Sequence, residues 1–243
     1  MTAQEIQVVP DASALAQAAA EQILAIAPIA ARERGVFSIA LSGGSTPKIL
    51  FELLASDSWR NRFDWNTWEI YFGDERCVPP DHPDSNYRMA RLALLDRVPL
   101  DPAKIHRMKG EADPQEAAKE YGQLLKQKFG DDGLDLILLG MGDDGHTASL
   151  FPGTAALAEK EHRCVANFVP KLGVWRLTFS APFINRARQV IALISGAAKA
   201  QRLERVLQGP RDPTNLPIQM IQPTSGKLLW LLDAPAAGMM DQE

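Results

Sequence analysis

Short apolar runs recur along the chain, and the stretches between them bring apolar residues back at helical spacing. Residues 36–41, 68–72, 134–139, 164–169, 177–180, 189–194 and 227–232 are short, β-rich and apolar, and each predicts a strand. Asp11 stands where it can cap a helix with the face Ala14, Leu15, Ala18, Ile23 and Ile26, which Pro28 kinks or stops and Gly35 ends. Further helices are predicted near 86–98, with Met89, Leu92 and Leu95 inward, at 114–129 and at 197–207. Strands alternating with helices argue an α/β fold, a mostly parallel Rossmann-like sheet with helices on both faces. No repeat, low-complexity tract or long linker divides the sequence, so residues 1–243 read as one domain, with 209–217 a proline-rich surface loop.

Composition narrows the function classes. With 243 residues, 46% apolar and 23% charged, the chain is an ordinary globular one, which excludes disorder, collagen and coiled coil. The 26 basic and 30 acidic side chains give a net charge of -4, too balanced for a nucleic-acid or acidic-membrane binder, although two or three clustered cations would still hold a small anion. Cys77 and Cys164 stand far apart without metal-ligand spacing, which predicts neither a disulfide framework nor a zinc module and suits a reducing cytosol. The N-terminus lacks the pattern of a signal peptide, and apolar runs such as 134–139 are too short to span a bilayer, so a cytoplasmic location is expected.

In parallel sheets ligands bind beyond the carboxyl ends of strands, and four loops there hold unusual residues. Ser42-Gly43-Gly44-Ser45-Thr46-Pro47 follows the first strand; its glycines, hydroxyls and helix N-terminus make an anion cradle, with Thr46 as N-cap and Pro47 at the first helical position. No Gly-Lys-Ser/Thr follows, so it is not a Walker A loop. In Gly73-Asp74-Glu75-Arg76, Arg76 can grip a phosphate, and Asp74 or Glu75 can hold that arginine or face a substrate hydroxyl.

The third loop, Gly140-Met141-Gly142-Asp143-Asp144-Gly145-His146-Thr147, contains GxGxxG, but two carboxylates sit where a pyrophosphate would lie and Pro152 curtails the next helix. The reading adopted is that the glycines expose His146 as a general base and Asp144 orients it. In Ser195-Gly196-Ala197-Ala198-Lys199-Ala200, Lys199 opposes the dipole of the helix it begins, which favours an anion in front of it. His82, His106 and His162 lack ligand spacing and read as surface or core residues; no Gly-x-Ser-x-Gly elbow is present.

These loops, together with Asp84-Ser85-Asn86-Tyr87 and the segment 105–111, resemble in order the 6-phosphogluconolactonase family, relatives of glucosamine-6-phosphate isomerase/deaminase. The resemblance implies hydrolysis of 6-phospho-D-glucono-1,5-lactone, the second step of the oxidative pentose phosphate pathway, by a monomer without metal or organic cofactor. It implies a phosphate held by Gly43, Gly44, Ser45 and Thr46 and neutralised by Arg76 and Lys199, with His146 activating water and Asp144 orienting it. Asp74, Gly142 and Arg176 are further expected substrate contacts, and the Gly142–Gly145 backbone supplies candidate oxyanion donors. The family's proline before an Arg-hydrophobic-Thr strand is missing ahead of Arg176-Leu177-Thr178. Trp175 there reads as a core residue, with a lid over the sugar as the alternative. An amino-sugar-phosphate isomerase is the rival, but its family places a glutamate shortly after the histidine, where this chain has Ser149-Leu150-Phe151. A sugar-phosphate sensor would need a DNA-binding segment, for which the chain before the first strand has little room.

Overall fold

The computed structural model describes residues 4–240. In chain order its strands are β1 (Gln4–Val9), β2 (Phe37–Leu41), β3 (Trp68–Phe72), β4 (Asp74–Arg76), β5 (Leu136–Leu139), β6 (Cys164–Val169), β7 (Val174–Phe179), β8 (Gln189–Ile194) and β9 (Lys227–Asp233). The helices are α1 (Ala12–Arg34), α2 (Ser45–Leu54), α3 (Asn86–Ala93), α4 (Pro114–Phe129), α5 (Ala181–Ile184), α6 (Ala200–Leu207) and α7 (Ala234–Ala237). Six strands form a sheet in the order β1-β9-β8-β5-β2-β3, every pair parallel, and β4-β7-β6 form a small antiparallel sheet.

Local chemistry accounts for most of the elements. Asp11 caps α1 by accepting from the Ala14 amide at 2.8 Å, and Gly35 closes it in the left-handed conformation. Asp113 does the same for α4, with Pro114 at its first turn. β2, β5 and β8 are almost wholly buried, as strands central to a parallel sheet must be. Helices α1 and α2 pack on one another and on strands of the main sheet, and α4 lies on β6 and β7. At the amino ends of β2 and β5, buried Asp135 accepts from the amide and hydroxyl of Ser38, each at 2.8 Å, and pairs with Arg34 at 2.7 Å. This clamp leaves the carboxyl ends of the same strands open.

Several elements differ from the sequence expectation. Helix α1 runs through Pro28, because an exposed proline removes one hydrogen bond while the buried face of Leu15, Ala16, Ala19, Ala20, Ile23, Ala27 and Ala30 continues. Its length and composition would suffice to cross a bilayer, contrary to the estimate from apolar runs, but that face packs inside this fold. Helix α3 ends at Ala93, and Leu92 is half exposed. β1 and β4 were not anticipated, and β7 begins before position 177. Trp175 is not in the core: it lies on the surface, its ring tilted against that of Phe168 across the β6–β7 hairpin, with centroids 5.4 Å apart.

Gly73 is the junction between the sheets. Its amide donates to Leu41 of β2 at 3.0 Å, and its carbonyl accepts from Phe179 of β7 at 2.8 Å. The segment expected to be a polar loop therefore crosses from β3 into the second sheet, carrying Asp74, Glu75 and Arg76 with it.

Candidate active site

From β2 the chain goes outward to β3 and then returns across β2 to β5, β8 and β9. The order thus reverses between β2 and β5, where open parallel sheets bind their ligands. A cavity of about 370 Å³ lies at this point. Its walls are Ser42, Gly43 and Gly44 after β2, the residues from Gly140 to Asp144 with His146 after β5, Asp74 and Arg76 of β4, and Lys171, Leu172 and Arg176 of the β6–β7 hairpin.

His146 and Asp144 form a pair. The imidazole Nδ1 lies 2.5 Å from Asp144 Oδ1, and Lys171 Nζ holds the other carboxylate oxygen at 3.2 Å. Burial acts to raise the Asp144 pKa, but the hydrogen bond and charge of His146, with Lys171, outweigh it and hold the group at about 2. Asp144 is therefore a carboxylate at neutral pH, and it fixes the proton of a neutral imidazole on Nδ1. Nε2 makes no hydrogen bond to any described residue.

The loop that carries the pair is built around absent side chains. A Cβ on Gly142 would lie 2.0 Å from the imidazole Cε1 and Nδ1, so only glycine lets the backbone pass there. The Gly142 amide donates to the His146 carbonyl at 2.8 Å, and the Gly145 amide to the Gly142 carbonyl at 3.0 Å, with Gly145 in the left-handed region. Both amides are thus engaged and cannot be the free oxyanion donors the sequence suggested. Among the described residues, those of Asp143 and Asp144 have no partner.

The cationic part of the cavity comes from the second sheet. Arg76 and Arg176 face each other in register across β4 and β7, and each has a buried Nε without a partner. Arg76 also donates to the Asp84 carbonyl. Burial, and then the like charge of Arg76, lower the Arg176 pKa below its ordinary value. Two adjacent guanidiniums with unused donors form a site in want of an anion. Arg176 sits in the cavity despite the missing proline ahead of it.

Glycine also shapes the cradle after β2. Gly44, at φ 104°, is the N-cap of α2, so Ser45, Thr46 and Pro47 occupy its first three positions. Thr46 is not the cap, because the glycine conformation starts the helix two residues earlier than a threonine cap would. Pro47 has no amide, and the N–H groups of Gly44, Ser45 and Thr46 remain for a ligand. Gly43 and Gly44 line the cavity; Ser45 and Thr46 do not line it in this structure. Buried Asn86, on which no local sequence signal for a cavity residue falls, packs so closely that a Cβ on Gly43 would lie 1.9 Å from its Oδ1.

The remaining acids and Lys199 are occupied. Asp74 lines the cavity, yet one of its oxygens accepts from Asn86 at 3.1 Å and the other from Ser149 at 2.7 Å. Glu75 is buried and accepts from the amides of Arg76, Asn86 and Tyr87, so it caps α3 and does not reach the cavity. Lys199 lies outside the cavity wall and is ion-paired with Asp143. Burial pushes the Cys77 thiol up to about 11, which makes it a poor nucleophile. Among the described residues, no group of three His, Cys, Asp or Glu side chains is placed to hold a metal ion.

A parallel sheet with its cavity at the reversal of strand order, a glycine cradle, an Asp–His pair and two arginines make up the site of an α/β protein suited to acid–base chemistry on an anionic substrate. The model of the glucosamine-6-phosphate isomerases/6-phosphogluconolactonase family matches residues 10–230, and the chain belongs to that family. A 6-phosphogluconolactonase of Synechocystis sp. is 48% identical over 210 residues, 84% of this chain and 85% of that one. One from Nostoc sp. is 43% identical over 237 residues, 95% and 96% of the two chains. The solved structure of 6-phosphogluconolactonase from Trypanosoma brucei superposes with a TM-score of 0.86 at 29% identity, covering 99% of this chain and 100% of that one. A monomeric glucosamine-6-phosphate deaminase shares the fold at 21% identity, with a TM-score of 0.81 over 97% of this chain and 99% of its own.

Proposed function

We propose that the chain hydrolyses 6-phospho-D-glucono-1,5-lactone to 6-phospho-D-gluconate, the second step of the oxidative pentose phosphate pathway, with His146 as the base. The observation that carries this reading is an imidazole held by Asp144 at Nδ1, with Nε2 unengaged, in the same cavity as an arginine pair. Nε2 takes a proton from water as the water oxygen attacks the lactone carbonyl carbon. The tetrahedral intermediate then expels the ring oxygen, which receives a proton from the imidazolium, and the new acid ionises. Asp144 stabilises the imidazolium formed between the two transfers. General acid–base help of this kind is worth on the order of 100- to 10,000-fold.

The substrate phosphate lies against Arg76 and Arg176 and the free amides that begin α2, at Gly44, Ser45 and Thr46, with Gly43 beside them. Its charge offsets the repulsion between the two guanidiniums, and its binding orients the carbonyl at the other end of the sugar. Lys199 joins the phosphate only by exchanging Asp143 for it. Asp74 acts mainly by fixing Asn86 and Ser149 around the cavity. Free amides at Asp143 and Asp144 are the loop's remaining donors for the oxyanion.

Isomerisation of an amino-sugar phosphate needs further acid–base groups at the sugar carbons. Here the position flanking His146 is taken by the apolar ring of Phe151, which favours hydrolysis. The test compares wild type and His146→Ala for consumption of freshly generated lactone, corrected for spontaneous hydrolysis, with glucosamine 6-phosphate as control. Loss of lactonase activity in a folded variant is expected. Full activity would remove His146 as the base, and turnover of the amino sugar alone would replace the function.

A further inference from the structure

We infer that Phe151 is a positioning residue for His146: its ring is a floor that fixes the plane of the imidazole and keeps Nε2 turned to the cavity. The inference rests on the reading of His146 as the base. The two rings lie nearly parallel, 20° apart with centroids separated by 4.0 Å, and Phe151 is only 7% exposed. A single hydrogen bond at Nδ1 sets where that nitrogen sits, yet the ring can still rock about the bond. A flat, buried neighbour removes this freedom. On the backbone side Gly142 comes so close that no side chain fits between it and the ring. Asp144, Gly142 and Phe151 together define a slot whose remaining edge carries Nε2.

The chain goes to some length to bring Phe151 there. Residues five apart do not meet on a regular helix or strand. Here a tight turn closes between them, with the Leu150 amide donating to the Thr147 carbonyl at 2.9 Å and Ala148 at φ 47°, a conformation that alanine disfavours. Buried Ser149 anchors the turn by donating its hydroxyl to Asp74 and its amide to Thr178, while its carbonyl accepts from Asn167. The backbone that leads to Phe151 is thus anchored on the second sheet as well as on the loop that carries the imidazole.

The test measures kcat and KM separately for Phe151→Leu and Phe151→Tyr and records the imidazole proton resonances of His146. Phe151→Leu is expected to lower kcat by about three- to tenfold, the range of an aromatic pair, with KM unchanged within about twofold. Phe151→Tyr should restore most of the rate. The upfield ring-current shift of the imidazole protons should persist in Phe151→Tyr and vanish in Phe151→Leu. If Phe151→Leu fails to fold, Phe151→Met replaces it in the same comparison. Wild-type kcat in the aliphatic variant overturns the inference, and so does a loss carried by KM, which would mean that the ring touches substrate. Wild-type activity in His146→Ala defeats the underlying reading instead, whereas an inactive His146→Ala beside a fully active Phe151→Leu defeats this inference alone.

Discussion

Replacing Gly142 with alanine should displace the base without unfolding the protein. An alanine Cβ on this backbone lies 2.0 Å from Cε1 and Nδ1 of His146 and 2.8 Å from Nε2. Carbon atoms settle at about 3.5 Å or more, so the ring must retreat by roughly 1.5 Å. Phe151 obstructs one escape, and any swing stretches the 2.5 Å bond to Asp144. A misplacement of about 1 Å costs on the order of 100-fold in rate, so kcat should fall by at least that factor, about 2.7 kcal/mol of barrier. Gly142 is not among the residues with positive φ, so alanine adds no backbone strain there, and the melting temperature should fall only by what the weakened Asp144–His146 pair contributes. Gly145→Ala is the contrasting variant: at φ 82°, with Leu216 2.9 Å from the new Cβ, it should destabilise the fold by about 1–2 kcal/mol. The assay is lactone consumption corrected for spontaneous hydrolysis, alongside thermal melts of both variants. A folded Gly142→Ala protein with the wild-type kcat would refute the placement of His146.

Two further outcomes test the charges. Folding takes the Asp144 pKa from its ordinary 3.8 to about 2, so its carboxylate stabilises the fold above pH 4, by about 1 kcal/mol once solvent screening of this partly exposed pair is allowed for, and this contribution is lost as pH falls through 2. The stability gap between wild type and Asp144→Asn in urea should narrow by about 0.5 kcal/mol between pH 5 and pH 3, and a constant gap would rule out the pairing. Arg176→Met should raise KM for the phosphorylated lactone by about tenfold or more, since a charge-assisted hydrogen bond is lost, yet leave turnover of unphosphorylated glucono-1,5-lactone unchanged. Relief of the repulsion with Arg76 should also keep that variant at least as stable as wild type; equal losses on both lactones would remove Arg176 from the phosphate.

What could be read in the sequence was whatever local chemistry decides. Capping by Asp11 and Gly35, the helix at 114–129, and the strands at 68–72, 164–169 and 189–194, follow from neighbouring residues and appear as expected. β1 stayed hidden because a polar, half-exposed edge strand acquires its conformation from β9, at the far end of the chain. β4 is three charged residues long and is a strand only because β7 lies beside it. The same limit applied to the site. Arg176 looked doubtful from its flanking residues, but cross-strand register puts it opposite Arg76. Phe151 gave no local signal, since its meeting with His146 depends on a turn anchored by the second sheet. The Asp143–Lys199 pairing joins two distant loops and was equally invisible.

The pairing of β1 with β9 also bears on how the molecule is made. Its register joins Gln4 to Leu228 and Val9 to Asp233, so β1 pairs only with a strand that is synthesised after every other strand described. During synthesis the strands of the crevice, β2, β3 and β5, can associate long before then, while β1 remains a tether on α1. Closure of that edge is thus a late event with a large loop entropy to overcome. Chains interrupted before residue 227 would contain every residue assigned to catalysis and phosphate binding and still present two unpaired strand edges, at β1 and β8. Premature termination in this fold should therefore yield aggregation before it yields a partly active enzyme.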